Sequence, residues 1–165
     1  MKKSLILLTI LGALLAPTEL VCQGGQDISS TQAFRMLDQP ATYLVDVRTV
    51  AEYVYVGHPD MAHNIPLVFW DEQNLQTVAN EQFVEDMKAR FKLSDTVIII
   101  CRSGIRSPHA RRMLRSAGFQ KVFNVTEGFE GKKDQDGHRI VDGWKNQGLP
   151  YTYQLDPALL HRPQK

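Results

Sequence analysis

The run Thr96–Ile100, TVIII, constrains the fold of this 165-residue chain more than any other feature. An almost unbroken apolar stretch suits a central strand covered on both faces. CRSGIR then leads into Ser107-Pro108, which reads as a helix start with Ser as N-cap and Pro in the first helical position. That helix runs to about Ala117 and stops at Gly118. The same alternation recurs along the chain. TYLVDV (42–47) and KVFNV (121–125) read as further strands, and AHNIP (62–66) as a short strand or loop. Ser29 or Ser30 can cap a helix through about Gln39, with Phe34 and Leu37 inward. A single helical turn fits 49–55, closed by Gly57. Phe83, Met87 and Phe91 share one face of a helix beginning near Asn80, and GWKNQGLP (143–150) reads as a final short helix. Strands alternating with helices imply right-handed crossovers and a mostly parallel sheet, hence an α/β fold. Ligands of such sheets bind beyond the carboxyl ends of the strands. Cys101 stands at such an end.

The N-terminal residues are read separately. Lys2 and Lys3 precede an apolar run over 5–16, which suits a signal-peptide core and is short for a membrane span. Residues 1–24 are therefore expected to be a signal peptide and processing region, 25–151 the folded domain, and 152–165 a tail that packs or frays. The expected location is periplasmic or secreted. An uncleaved anchor is the alternative, and no membrane span is expected after processing. Cys22 lacks the small preceding residue of a lipidation site. The net charge of +1 comes from dispersed Lys and Arg, so nucleic acid is not an implied partner.

Only two cysteines occur, and with Cys22 at the processing region, Cys101 has no disulfide partner in the folded part. A buried core thiol is the plain reading, but its neighbours favour chemistry. The thiolate is the nucleophile, and an ordinary thiol with pKa near 8.5 is mostly protonated at neutral pH. Amides around Gly104, the positive end of the following helix, and the guanidinium groups of Arg102 and Arg106 all favour the anion. The same loop suits an anionic substrate, with Arg106 offering paired donors to an oxyanion. Attack on the outer sulfur of thiosulfate would leave a persulfide on Cys101, discharged to a thiol or cyanide. No metal or organic cofactor is needed.

CRSGIRS (101–107) resembles the active-site loop of rhodanese domains. LVDVRTVAEY (44–53), GHPDMAHNIP (57–66) and GWKNQGLPY (143–151) resemble three further segments of that family, in the same order. The resemblance spans residues 28–151. It implies a rhodanese-like fold, with about five mostly parallel strands flanked by helices on both faces, and sulfane-sulfur transfer through Cys101. Arg102, Ser103, Gly104, Ile105, Arg106 and Ser107 would form the substrate loop, and Asp46, Arg48 and Glu52 a salt-bridged network supporting it. The implied partners are thiosulfate or polysulfide, an acceptor thiol, and a periplasmic redox or sulfur-carrier protein. Pro59 and Met61 depart from the family pattern, and the stretch 127–142 is longer than usual. It is expected to form a surface loop near the pocket rim.

Two rivals remain at this point. Phosphatases and arsenate reductases of the same fold use a loop one residue longer between Cys and Arg, to admit a tetrahedral oxyanion. A non-catalytic sulfide- or partner-binding module would generally lack the Cys. His58 reads as part of a structural turn, His109 as a solvated helix residue, and Phe69 and Trp70 as core or pocket lining. DQDG (134–137) lacks the later ligands of a calcium loop and reads as a turn.

Overall fold

Within Thr96–Ile100, Val97 and Ile99 enter one apolar cluster, Ile98 and Ile100 another, and all four are fully buried. A strand that feeds two cores must lie at the centre of a layered fold. The computed structural model describes residues 27–162, and there this strand is the third of a five-stranded sheet. We number the sheet strands β1 (Asp27–Ile28), β2 (Thr42–Asp46), β3 (His63–Asn64), β4 (Thr96–Ile100) and β5 (Lys121–Val125). Their spatial order is β1-β5-β4-β2-β3, and every pairing is parallel. Leu44 faces Ile98 and Asp46 faces Ile100 in register, so β2 and β4 end together and their following loops lie side by side.

The helices are α1 (Ser30–Met36), α2 (Val50–Val56), α3 (Phe83–Arg90) and α4 (Ser107–Ser116). Ala33 of α1 and Tyr53 of α2 join the cluster with Leu44, Ile98, Ile100, Phe129 and Trp144. Phe83 and Met87 of α3, with Ala110 and Leu114 of α4, join the opposite cluster with Val45, Val97 and Ile99. The sheet is thus covered on both faces, as expected of an α/β fold.

Several boundaries differ from the expectation for physical reasons. α1 ends at Met36, where the Leu37 and Gln39 amides turn back to Phe34 and Met36 in tighter i−3 bonds. α2 has seven residues, because Thr49 and Glu52 form a reciprocal capping box that starts it cleanly. α3 begins at Phe83, since Asn80 is spent on the Pro66 carbonyl, the Asp86 carboxylate and the Gln82 amide. GWKNQGLP forms turns instead of a helix. Gly143 (φ 92°) and Gly148 (φ 68°) both take left-handed conformations, and the Asn146 side chain ties three carbonyls, those of Glu130, Arg139 and Asp142.

Two antiparallel hairpins lie outside the sheet, Val68–Asp71 with Gln76–Ala79 and Lys132–Lys133 with Arg139–Val141. The tail packs. Tyr151–Thr152 pairs with His58–Pro59, and beyond it the Asn64 amide donates to the Leu159 carbonyl at the exposed edge of β3. Arg90 reaches the carbonyls of Ala158, Leu159 and Leu160. No helix among the described residues is long and apolar enough to cross a membrane. The proposed signal segment, Cys22 and the 1–24 boundary lie outside the described residues.

Candidate active site

Cys101 follows the last residue of β4 and closes the floor of a cavity of about 680 Å³. Only 1% of the residue is exposed, so a reagent has to enter the hollow to meet the sulfur. The walls are Thr49, Ala51 and Glu52 from α2 and its cap, Arg102, Ser103, Ile105 and Arg106 from the loop, and Val68, Trp70 and Thr77 from the first hairpin. Below, the Cys101 side chain touches the apolar cluster of α3 and α4.

The loop 102–106 is held open by packing. Gly104 has φ 78°, and a Cβ there would collide with the Thr126 carbonyl. Gly128 has φ 69°, and a Cβ there would stand 2.5 Å from the Ser103 nitrogen and 2.6 Å from the Arg102 carbonyl carbon. Two backbone bonds fix the same contact: Phe129 N–H to Cys101 O at 2.7 Å and Glu130 N–H to Arg102 O at 2.9 Å. The amides of residues 102–106 donate to no acceptor among the described residues. Loop amides without an internal partner can cradle an anion. α4 starts one residue earlier than expected, at Ser107. Its hydroxyl lies 3.2 Å from Cys101 Sγ instead of capping the helix. The positive end of α4 opens toward the same loop.

The two loop arginines do different jobs. Arg106 turns its fork to Glu52: Nη1 donates to Glu52 Oε2 at 2.7 Å and Nη2 to Glu52 Oε1 at 2.6 Å. The bidentate carboxylate takes two of the guanidinium's N–H donors, so Arg106, which the sequence reading offered as an oxyanion clamp, is held as a brace of the loop while it still lines the cavity. Burial alone would raise the Glu52 carboxyl, but the hydrogen bonds and charge of Arg106, with the Thr49 amide, outweigh it and lower the pKa to about 2. Burial alone would lower the Arg106 pKa, and the Glu52 contact overturns that as well. Arg102, in contrast, is exposed, lines the cavity and forms no ion pair among the described residues. It is the cation available to an incoming anion.

Asp46 and Arg48 form a second brace. Both are fully buried, and the Arg48 Nη2 donates to Asp46 Oδ2 at 2.6 Å and to the Gly57 carbonyl at 2.7 Å. The guanidinium lies 4.2 Å from the Phe129 ring centre and 4.0 Å from a Glu130 carboxylate oxygen. Arg48 therefore supports the loop at one remove, through the segment that bonds Cys101 and Arg102. Asp46, Arg48 and Glu52 are all brought to the loop's supports, but by two separate ion pairs and not one network.

His58 is buried, stacks on Tyr53 at 3.6 Å and bonds the Tyr53 carbonyl, so it belongs to the scaffold. His109 is exposed and absent from the cavity wall, and Phe69 packs toward His161. Trp70 lines the cavity. Asp134 accepts the Asp136 and His138 amides in a turn, as read from the sequence; Asp134, Asp136 and His138 cluster there on the surface. The long stretch after β5 does not form the rim, which comes from the hairpin 68–79. Thr126, Gly128, Phe129 and Glu130 were missed as site supports. A signal existed: β5 neighbours β4 in a parallel sheet, so the loops at their carboxyl ends must touch.

The chain matches the family model of the rhodanese-like domain over residues 21–135. It is 32% identical over 136 residues to the uncharacterized protein RP600 of Rickettsia prowazekii, covering 78% of this chain and 98% of that one. It is 27% identical over 124 residues to GlpE, a thiosulfate sulfurtransferase of Actinobacillus pleuropneumoniae, covering 75% and 90%. Among solved structures it is similar to Rv0390 of M. tuberculosis, with a TM-score of 0.69 and 36% identity over 78% of this chain and 97% of that one. The α/β fold and the matched span agree, and the chain belongs to the family of rhodanese-like domains.

Proposed function

We propose that the protein is a sulfurtransferase that carries sulfane sulfur on Cys101, taking it from thiosulfate or a persulfide donor and passing it to a thiol or cyanide. One observation carries the reading: the sulfur lies on the floor of a hollow beside loop amides with no acceptor, and beside an Arg102 with no ion pair, among the described residues. The Cys101 thiolate attacks the outer sulfur of thiosulfate. A new S–S bond forms, the S–S bond of thiosulfate breaks, and sulfite leaves with the electron pair. The persulfide ends in a terminal sulfur bearing one negative charge, which the amides and the end of α4 stabilise. An acceptor thiolate then attacks that terminal sulfur and Cys101 leaves as thiolate, so the cycle needs no external oxidant or reductant.

Thiosulfate should add about one sulfur mass to the intact protein, and Cys101→Ser should abolish the addition. An unchanged mass refutes the mechanism. The four-residue spacing between Cys101 and Arg106 supports sulfur transfer over phosphate hydrolysis. Cys101-dependent cleavage of an aryl phosphate would reverse that choice. From Lys2, Lys3 and the apolar run that follows, we also place the mature enzyme outside the cytoplasm, where a redox or sulfur-carrier partner would keep Cys101 reduced or relay its sulfur. Recovery of the protein only in the cytoplasmic fraction would refute this placement.

A further inference from the structure

The cavity is larger and more apolar than an inorganic substrate alone requires. Thiosulfate, even granted the ~30 Å³ share of one water for each of its atoms, takes on the order of 150 Å³. The hollow holds about 680 Å³. That lies in the range of roughly 300–1,000 Å³ typical of sites for organic ligands. Its side wall is built from Ala51, Val68, Trp70 and Ile105, while its charged wall residues reduce to the neutralised Glu52–Arg106 pair and Arg102. Ile105 is 80% exposed and Trp70 52% exposed, so both present apolar surface at the mouth that nothing else in the described chain covers. Such surface clustered at a pocket marks a binding face.

The hairpin backbone that carries Trp70 is held in place. Trp70 sits on the hairpin Val68–Asp71 with Gln76–Ala79, paired opposite Thr77. The turn is fixed by Asp71, whose carboxylate accepts the Gln73 and Asn74 amides and the Asn74 side chain. The base is clamped by Leu67 N–H to Val47 O, by Asn80 N–H to Leu67 O, and by the Asn80 side chain on the Pro66 carbonyl. An aromatic residue on a braced hairpin can stack an apolar group with no backbone ordering cost.

We propose that the sulfur acceptor of Cys101 is a small organic thiol with an aromatic or branched apolar body, seated against Trp70 and Ile105 with its sulfur toward the cradle. This rests on the sulfurtransferase reading above. The acceptor thiolate attacks the terminal sulfur of the Cys101 persulfide. The S–S bond to Cys101 breaks, the organic persulfide departs with the transferred sulfur, and Cys101 regains the electron pair.

Two arms of one experiment separate the failures. In the first, binding of phenylmethanethiosulfonate and of inorganic thiosulfate to the full-length Cys101→Ser protein is measured by calorimetry, with and without Trp70→Ala or Ile105→Ala. The aromatic ligand should bind about ten-fold or more tighter than thiosulfate, and each second substitution should shrink that ratio several-fold. In the second arm, the wild-type persulfide is discharged with phenylmethanethiol and with 2-mercaptoethanol. The aromatic thiol should be faster by about ten-fold, a ratio that falls in Trp70→Ala and, at a site too exposed to endanger the fold, in Ile105→Ala. Equal affinities, or ratios indifferent to both substitutions, overturn the proposal, as does discharge only to a protein acceptor. Aromatic binding without any Cys101-dependent transfer instead sinks the sulfurtransferase reading on which it rests.

Discussion

Replacing Glu52 by Gln tests whether Arg106 is a brace. Gln at this position can still accept the Thr49 amide and serve the capping box, so α2 keeps its start and the change isolates the charge on Arg106. The Glu52 carboxyl is held at about 2 against its ordinary 4.5, which sets a ceiling of roughly 3 kcal/mol by linkage. The paired side chains are 24% and 20% exposed, so solvent screening reduces the expected loss to about 2 kcal/mol at neutral pH. The sign follows from the direction of the shift. A carboxyl whose folded pKa is depressed contributes fully above its ordinary value and loses the contribution as pH falls through its folded pKa. The gap between wild type and Glu52→Gln should therefore be constant from pH 7 to about 5, narrow between about 4.5 and 2, and vanish below. Urea unfolding of both proteins across that range measures it. A gap that is absent at pH 7, or that persists undiminished at pH 2, refutes the assignment of Arg106 to Glu52.

Arg106→Ala should cut thiosulfate turnover at least about ten-fold through loss of the loop's shape, while Arg115→Ala should not, because the Arg115 guanidinium only ties the Phe119 and Gln120 carbonyls beyond the far end of α4; equal losses in steady-state assays would dissolve the distinction. Arg102→Ala should raise KM for thiosulfate several-fold at low salt with kcat less affected, and the difference should shrink as salt screens the free cation. An unchanged KM would mean that the anion enters elsewhere. Gly128→Ala forces a side chain against the Ser103 and Arg102 backbone at a left-handed φ, so it should cost about 3 kcal/mol in urea unfolding and abolish sulfur loading. An unshifted midpoint refutes the close approach.

The parallel α/β sheet was legible because its strands are short apolar runs separated by helices, and a strand such as TVIII has no other stable place than the middle layer. Phe83, Met87 and Phe91 face inward as their spacing demands. The tight strand-to-helix loop that starts at Cys101 and turns at Gly104 was legible for the same local reason, although Ser107, read as the N-cap, instead sets its hydroxyl 3.2 Å from Cys101 Sγ. What escaped depends on partners distant in sequence. Nothing local says that Arg106 will meet Glu52, 54 residues away. Nor does a local pattern reveal that Asn80 is spent on Pro66 and Asp86, which trims the helix after it. The hairpin 68–79 escaped because its strands carry little period-two patterning: Gln76–Ala79 is exposed throughout. The reading of GWKNQGLP as a helix failed through its glycines, whose positive φ values turn the chain out of the helical region.

The pairing of Arg106 with Glu52 also bears on what the site selects. With that pair neutral, the field on an anion at Cys101 comes from loop amides, the end of α4 and, among the described residues, one guanidinium without an ion pair, Arg102. Amides and a helix end match a single charge localised on one sulfur, whereas a compact dianion such as thiosulfate would gain more from a second free cation. The rest of the wall is apolar and outsized for that dianion. On the sulfurtransferase reading proposed above, charge and volume push the same way: the persulfide would be held by geometry close to Cys101, and discrimination among its partners would fall to the hairpin wall around Trp70. On that reading a rhodanese-like loop could serve an unconventional acceptor with no change at the nucleophile, because the loop is shaped from behind by Glu52 and Gly128 while Val68, Trp70 and Ile105 line the cavity in front of it.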